Sequence, residues 1–240
     1  MIALVLCAGL GTRFRPATLT TPKPLLPLKG RPILFRLLDH LLSQGADAFV
    51  LNAYHLGGKL REAVGDSWEG FPVSWSFEDP VLGTAGAIRR AAENGLLPTE
   101  SFLVVNGDVF TTFDLGRLLG ARQRPGVVSA LAVTANGRPD VETPLWADVT
   151  GRLVAVGGAK PSADTTGPWL FTGIQSARKE LVNRIPPGFS ALAKDILTPS
   201  TLSRDGAFSL VPYRSPEDGL WFDLGSPERL SEAESALTTA

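Results

Sequence analysis

The feature that most constrains the fold of this chain is the alternation of short apolar runs with segments of helical periodicity. Ile2–Ala8 (IALVLCA) is an apolar run of strand length without a polar interruption, as in strands buried on both faces. Pro32–Gln44 then places apolar residues at helical spacing and stops before Gly45. This alternation indicates βαβ units, and therefore a mostly parallel sheet with right-handed crossovers.

The alternation continues along the chain. In the first half we predict further strands at Ala48–Asn52, Val73–Phe77 and 101–108, and helices at Gly58–Val64 and Thr84–Asn94. In the less regular second half we predict strands at Val127–Thr134, Pro144–Val149, Leu153–Val156, Trp169–Gln175 and Phe208–Pro212, with helices at Ala191–Leu197 and Pro227–Leu237. No internal repeat or linker is visible, so we expect a single domain.

Composition and charge exclude several classes of partner. The net charge of −1 argues against binding nucleic acid or an anionic membrane surface. The single cysteine, Cys7, permits no internal disulfide, and we expect it to be a buried thiol in a reducing compartment. The run 2–10 lacks the basic segment of a signal peptide, and no stretch approaches the roughly 20 apolar residues that span a bilayer. We therefore expect a cytoplasmic protein, and the sequence leaves open whether it forms homo-oligomers.

The segment after the first strand, CAGLGTRFRPATLTTPKPLLP (7–27), fits neither of two common nucleotide-binding motifs. The dinucleotide motif G-x-G-x-x-G requires glycine at position 14, where Phe14 stands, and no Walker G-K-[ST] follows. Gly9 and Gly11 would still let the backbone turn tightly and present N–H groups to an anion.

Cations in the same segment strengthen the case for a bound phosphate. Arg13 and Arg15 carry forked guanidinium groups that match phosphate oxygens, and Lys23 stands between two prolines. Four prolines exclude a continuous helix, so we predict an extended, stiff loop. Spacing alone leaves open a solvated proline-rich loop with incidental charge.

The run LVLCAGLGTRFRPATLTTPKPLLPLKGRPIL closely resembles the signature of the sugar nucleotidyltransferases, also called nucleotide-sugar pyrophosphorylases. Three further segments resemble family motifs in the expected order: VLGTAGAI (81–88), VNGD (105–108) and WFDLGSPERL (221–230). The resemblance implies a single Rossmann-like, doubly wound α/β domain over 1–240. Its sheet would be mixed, mostly parallel and flanked by helices. An NTP-binding half (1–125) would precede a sugar-phosphate-binding half (126–240).

The resemblance implies that an NTP and a sugar 1-phosphate react to give a nucleotide sugar and pyrophosphate. The attacking phosphate is already an anion at neutral pH, so no general base is needed. His40 and His55 are accordingly expected to be structural or surface residues. The reaction needs charge neutralisation around the α-phosphorus, which Mg²⁺ supplies well. By resemblance, Asp108 and Asp223 are the two carboxylate ligands of Mg²⁺.

The resemblance also assigns residues to the nucleotide. Arg13 resembles the residue that contacts the β- and γ-phosphates, and Lys23 the lysine that steadies the α-phosphate or the sugar phosphate. The remaining nucleotide-binding residues implied by the family motifs are Leu6, Ala8, Gly9, Gly11, Thr12, Gly83, Thr84, Ala85, Gly86, Asn106 and Gly107.

Two departures from the family pattern fall in the implied sugar pocket. Lys160 is the nearest match to a lysine that meets the sugar phosphate, but alanine replaces the glutamate that usually precedes it. Thr172, followed by Gly173, stands where the family often has asparagine. Both departures leave the identity of the sugar open.

Several activities within the family fit the sequence. The loop FEDPVLGTAGAI resembles mannose-1-phosphate guanylyltransferases, which favour GTP. The FTGI turn and the lack of a β-helix or hexapeptide repeat resemble the short uridylyltransferases that act on N-acetylmuramate 1-phosphate. Glucose-1-phosphate thymidylyl- or uridylyltransferases and choline-phosphate cytidylyltransferases are further alternatives. A relative that senses nucleotide sugars without catalysis is the alternative from another class.

Overall fold

The computed structural model of the chain describes residues 1–135, 143–197 and 207–239. Its strands are β1 (Ile2–Leu6), β2 (Pro27–Leu28), β3 (Arg31–Pro32), β4 (Ala48–Ala53), β5 (Ser67–Trp68), β6 (Phe71–Phe77), β7 (Ser101–Asn106), β8 (Val109–Thr111), β9 (Ser129–Thr134), β10 (Leu145–Ala147), β11 (Leu153–Val156), β12 (Thr166–Arg178), β13 (Phe208–Pro212) and β14 (Trp221–Asp223). Its α-helices are α1 (Ile33–Ser43), α2 (Gly57–Val64), α3 (Gly83–Glu93), α4 (Gly116–Arg122) and α5 (Pro227–Thr239).

One large mixed sheet forms the centre of the molecule. Its main path runs β11-β10-β12-β7-β1-β4-β6-β5, while β9 pairs with β12, and β13 pairs with β9. The strands β7, β1, β4 and β6 are parallel to one another, as the alternation of strands and helices predicts. The mixed, mostly parallel sheet flanked by helices is therefore confirmed.

Helices cover both faces of this sheet. Ala3 and Val5 of β1 face one hydrophobic core, which α1, α2 and α4 complete, whereas Leu4 faces a second core together with α3. Helix α1 presents its apolar residues on a single stripe because they recur every three or four positions. The buried residues of this stripe are Ile33, Leu34, Leu37, Leu38 and Leu41.

The register of the parallel strands aligns their carboxyl ends. Leu6 at the end of β1 lies opposite Asn52 on β4 and opposite Asn106 on β7. Beyond these ends, the backbone N–H of Gly107 donates to the carbonyl of Leu6 at 2.8 Å. The three loops that follow these strands therefore begin side by side, where open α/β sheets bind their ligands.

A small two-stranded sheet joins the end of the chain to this edge. Strands β8 and β14 pair antiparallel, with Asp223 opposite Val109. The N–H of Leu224 donates to the carbonyl of Asp108 at 2.9 Å. This pairing brings two carboxylates together that are distant in the sequence.

The glycine- and proline-rich segment 7–27 differs from its predicted conformation. It contains no α-helix, but it is not extended: three short 3₁₀ turns occupy Thr12–Phe14, Ala17–Leu19 and Lys23–Leu25. The hydroxyl of Thr18 donates to the carbonyl of Gly11 at 2.8 Å and closes the segment on itself. Prolines prevent the longer hydrogen-bond ladder of an α-helix but still allow single turns.

The second half also departs from prediction in places. Strand β12 is longer than the expected Trp169–Gln175, and the helix expected at Ala191–Leu197 is a single wide π-helical turn at Leu192–Ile196. Helix α4 and the short strands β8 and β14 were not predicted, because each is too brief for its periodicity to be recognised. None of the helices in the described ranges is long and apolar enough to cross a membrane.

The close approach of Gly107 to β1 predicts an effect on stability. A Cβ atom at position 107 would lie 2.7 Å from Cys7 Sγ and 2.8 Å from the carbonyl oxygen of Leu6. Gly107→Ala should therefore lower the free energy of unfolding by about 2 kcal/mol in urea titrations followed by circular dichroism. Gly120→Ala in α4 is the control: its Cβ would meet no atom within 4 Å, and it should stabilise by about 0.5–1 kcal/mol. Equal stability of Gly107→Ala and the wild type would contradict the close approach.

Candidate active site

A first cavity of about 220 Å³ lies at the carboxyl ends of β1, β4 and β7. Many of the predicted site residues line this cavity. They are the residues predicted to bind the nucleotide, a phosphate or a metal: Leu6, Ala8, Gly9, Lys23, Gly83, Thr84, Asn106 and Asp108. The parallel register explains their convergence, because each lies at or just beyond the end of a strand, or in a loop that packs there.

A second cavity of about 360 Å³ lies beside the first. The residues predicted to bind phosphate, sugar or metal that line it are Arg13, Thr172, Gly173 and Asp223. Asn106 and Asp108 line both cavities. The carboxylate of Asp108 therefore stands where two ligands, one in each cavity, would meet.

Asp223 is close enough to Asp108 for their charges to interact. Burial is the largest influence on Asp223 and, followed by the negative charge of Asp108, raises the pKa of its carboxyl group. The positive charges of Arg229, Lys23 and Arg13 act in the opposite direction. The net direction is upward, so added positive charge would stabilise the ionised Asp223 carboxylate.

Three cations already surround these two carboxylates. The buried Lys23 ammonium donates to Asp108 Oδ2 at 2.5 Å, and the Arg229 guanidinium forms an ion pair with Asp223. The Arg13 guanidinium and the Asp223 carboxylate both lie close to Gly225. A Cβ atom added to this glycine would lie 3.0 Å from Arg13 Nη2 and 2.8 Å from Asp223 Oδ1. Arg229 was not predicted, although it falls within the segment WFDLGSPERL (221–230).

The donor atoms at this place fit a magnesium ion that arrives with a phosphate ligand. Within residues 1–135, 143–197 and 207–239 no group of three or more His, Cys, Asp or Glu side chains could hold a metal. Two carboxylates are nevertheless enough for Mg²⁺, which commonly keeps water ligands and takes further oxygens from a substrate phosphate. Asp108 and Asp223 would be those two ligands.

A chain of buried polar groups that was not predicted lies along the wall of the first cavity. The N–H of Cys7 donates to Asn52 Oδ1 at 2.5 Å, and Asn52 Nδ2 donates to Glu78 Oε1 at 2.7 Å. The second oxygen of Glu78 accepts from the N–H of Leu82 at 2.8 Å. These bonds connect the ends of β1, β4 and β6 to the loop before α3. The only signal in the sequence is that Asn52 and Glu78 each end or follow an apolar strand.

The predicted nucleotide-binding segment 83–86 contacts another part of the chain. The N–H groups of Ala85 and Gly86 donate to the carbonyl of Ser190 at 2.9 and 3.1 Å, and the N–H of Ser190 donates to the carbonyl of Leu82 at 2.8 Å. Gly83 and Thr84 line the first cavity, whereas Ala85 and Gly86 are not among its lining residues. In this structure the amides of Ala85 and Gly86 hold the backbone at Ser190. Nucleotide binding by these two residues stays a prediction.

Gly11, Thr12 and Gly107 also lie outside the cavity linings. Thr12 is exposed at the start of the first 3₁₀ turn, and Gly11 precedes it. Gly107 is buried against β1. All three adjoin residues that line a cavity, and their contact with a nucleotide stays a prediction.

The predicted sugar-phosphate residues divide between the cavity and the surface. Thr172 and Gly173 line the second cavity, but the Thr172 hydroxyl donates to the carbonyl of Ala132 at 2.8 Å, inside the sheet. Trp221 Nε1 donates to the carbonyl of Thr172 at 2.9 Å. Lys160 is exposed in the loop between β11 and β12 and is not among the lining residues of either cavity. Its contact with a sugar phosphate stays a prediction.

Cys7 and the two histidines occupy structural positions. Cys7 is buried, as expected, and burial, followed by the charge of Asp108, raises the pKa of its thiol. Burial lowers the pKa of His40, while a ring nitrogen of His55 contacts the carbonyl of Thr18 at 3.0 Å. Neither histidine is among the lining residues of the two cavities.

Comparison with known proteins identifies relatives over nearly the whole chain. Residues 3–193 match the MobA-like NTP transferase domain family. Mannose-1-phosphate guanylyltransferase of Mycobacterium tuberculosis is 30% identical over 227 residues, which are 94% of this chain and 61% of that protein. The chain thus spans about three fifths of the length of this relative. N-acetylmuramate α-1-phosphate uridylyltransferase of Neisseria meningitidis serogroup B is 34% identical over 241 residues, 98% of this chain and 97% of that protein.

A solved structure shows the same fold. HddC from Yersinia pseudotuberculosis, in complex with GMP-PN, superposes with a TM-score of 0.78 at 21% identity. The superposition covers 98% of this chain and 99% of that one.

The buried polar chain at Asn52 predicts a specific loss of stability. Asn52→Leu would leave the N–H of Cys7 and one oxygen of Glu78 buried without their partner. Because unsatisfied buried polar groups are costly, the free energy of unfolding should fall by about 2 to 3 kcal/mol. Asn94→Leu, at the exposed end of α3, is the matched control and should change it by less than about 0.5 kcal/mol. Equal effects of both substitutions in urea titrations would show that the Asn52 side chain does not hold these strands together.

Proposed function

The chain belongs to the MobA-like NTP transferase domain family and, within it, to the sugar-1-phosphate nucleotidyltransferases, and on that premise we propose the reaction that it catalyses. The protein transfers a nucleoside monophosphate from an NTP to a sugar 1-phosphate and releases pyrophosphate. The observation that carries this proposal is the position of Asp108, which lines both cavities and lies beside Asp223. The nucleoside occupies the first cavity, the sugar occupies the second, and the phosphates of both substrates lie at their boundary.

The chemistry that we propose needs no proton acceptor. An oxygen of the sugar phosphate forms a bond to the α-phosphorus, and the bond from that phosphorus to the bridging oxygen of the β-phosphate breaks. Because the attacking oxygen is already anionic, the protein has to position the two phosphates in line and neutralise their repulsion. The arrangement of cations around two carboxylates suits this task better than it suits acid–base catalysis.

Two cations of the 7–27 segment have distinct proposed roles. Lys23 lines the first cavity and contacts Asp108, so it lies at the boundary, where it steadies the α-phosphate or the incoming sugar phosphate. Arg13 lines the second cavity near Asp223, and its forked guanidinium binds the phosphates that leave as pyrophosphate. Both roles rest on the family resemblance together with these positions.

Magnesium dependence is part of the proposal. Asp108 and Asp223 would hold the ion, which when bound supplies positive charge to the phosphate oxygens. The two carboxylates would hold the ion at the meeting point of the cavities, and Lys23, Arg13 and Arg229 would bind phosphate oxygens there.

Two pairs of substrates have the strongest support. The relatives named above are a mannose-1-phosphate guanylyltransferase and an N-acetylmuramate α-1-phosphate uridylyltransferase, so we propose GTP or UTP as the nucleotide and the corresponding sugar 1-phosphate as acceptor. The latter relative matches this chain over 97% of its own length. The single buried cysteine supports a cytoplasmic place for this reaction.

The proposed activity predicts pyrophosphate release from a defined pair of substrates. Each of GTP, UTP, dTTP and CTP would be combined with mannose, glucose, N-acetylglucosamine and N-acetylmuramate 1-phosphates in the presence of Mg²⁺. A coupled assay should detect pyrophosphate well above background for at least one pair with GTP or UTP. No release from any pair, together with calorimetric binding of a nucleotide sugar, would instead identify a non-catalytic sensor.

The two-carboxylate site predicts the effect of removing either charge. Asp108→Asn and Asp223→Asn should each lower kcat by about a hundredfold to a thousandfold, because charge stabilisation at the phosphates is lost. Circular dichroism should show an unchanged fold. Asp47→Asn, at an exposed carboxylate paired with the amino terminus, is the control and should retain full turnover. Near-normal turnover of either active-site variant would rule out the proposed metal site.

A further inference from the structure

Each of the two carboxylates at the meeting point of the cavities forms an ion pair with a cation. Asp108 is paired with Lys23, and Asp223 is paired with Arg229 and also feels the positive charge of Arg13. In the nucleotide-free protein each carboxylate is therefore already paired with a positive charge. An ordinary free-standing cation site would instead present carboxylate oxygens without such partners.

Arg229 is the member of the cluster that the family resemblance does not assign. It lies in the first turn of α5, which begins at Pro227. A helical side chain leans toward the amino end of its helix, so the guanidinium reaches back to Asp223 at the end of β14. Its side chain is 23% exposed and that of Asp223 is 35% exposed, so solvent screens their attraction only in part.

A divalent cation that arrives alone meets an obstacle here. It must displace Arg229 and Lys23 from the carboxylate oxygens that would bind it, and it must then lie close to their positive charges. Coulomb repulsion between close like charges in a partly buried site is substantial. A metal ion that arrives bound to a triphosphate avoids this obstacle, because the complex is negative and its phosphate oxygens offer the displaced cations new partners.

We propose that Arg229 is a positioning residue that occupies Asp223 in the nucleotide-free protein and excludes free divalent cations, so that the metal enters only as the metal–triphosphate complex. This inference rests on the proposed function, since it takes Asp108 and Asp223 as the metal ligands. Arg229 thereby links metal binding to nucleotide binding. In the nucleotide-free enzyme Asp108 and Asp223 stay paired with Lys23 and Arg229, and these cations are already in position to bind the phosphates.

A purely structural ion pair would behave differently. Removal of Arg229 would then change stability and leave metal affinity as it was. The exposed pair Arg61–Asp66 is of that kind: its side chains are 51% and 66% exposed, and neither residue lines either cavity. Arg61→Gln is therefore the matched control for removing one arginine from an aspartate partner.

The test is a titration of the full-length protein with Mn²⁺ alone, followed by electron paramagnetic resonance, which reports bound metal without turnover. Wild type, Arg229→Gln, Arg229→Lys and Arg61→Gln would be compared, each without nucleotide. Arg229→Gln should bind one Mn²⁺ with an affinity on the order of tenfold or more above the wild type. Arg229→Lys keeps the charge and should stay within about twofold of the wild type, as should Arg61→Gln. The double variant Arg229→Gln/Asp223→Asn should lose the gained site.

Any of three results would overturn the inference. The first is tight binding of Mn²⁺ to the nucleotide-free wild type, and the second is equal Mn²⁺ affinity of Arg229→Gln and wild type in folded protein. Persistence of the gained site in the double variant would also overturn it, because the metal would then be bound elsewhere. Pyrophosphate release by the wild type is measured separately, so failure of this inference and failure of the proposed reaction are distinguishable.

Discussion

The parallel pairing of β1 between β4 and β7 is the constraint on which the site depends. Its register sets Leu6 opposite both Asn52 and Asn106, so three loops leave the sheet at one level. The hydrogen bonds from Cys7 to Asn52 and from Gly107 to Leu6 then fix those loops against one another. The first cavity follows from this alignment, because the side chains that line it are carried by the ends of strands that cannot shift independently.

Ion pairs at the edge of the sheet complete the site. The pairing of β8 with β14 brings Asp223 beside Asp108, and cations from two distant parts of the chain neutralise them: Lys23 from the first loop and Arg229 from the last helix. Burial makes each unpaired charge costly at this place, so the free protein keeps its carboxylates paired. A ligand rich in negative charge can exchange these pairs for contacts of its own, which is why the cluster suits phosphate chemistry.

Much of the fold could be predicted from the sequence, because the hydrophobic pattern of a strand or a helix is contained in a few consecutive residues. The apolar run Ile2–Ala8 and the stripe on α1 carry their periodicity within a few residues, so their type can be read directly. The two metal-binding candidates Asp108 and Asp223 are found only through the family resemblance, since their proximity depends on the short strands β8 and β14, which show no periodicity.

The residues that escaped prediction depend on tertiary contacts. Asn52, Glu78 and Arg229 are ordinary polar residues in sequence and acquire their significance from partners that the fold supplies. The same cause explains the compact 7–27 segment: its prolines exclude a helix, but only the contact between Thr18 and Gly11 shows that the loop folds back on itself.

The central claim is that the nucleoside and the sugar occupy separate cavities, and that their phosphates meet at Asp108. A crystal structure of the protein with Mg²⁺ and the nucleotide sugar that it forms would test this most directly. The account predicts the base and ribose in the first cavity near Asn52 and Glu78, the sugar in the second, and the diphosphate beside Asp108 and Asp223. A diphosphate bound away from Asp108, or a nucleoside in the second cavity, would contradict it.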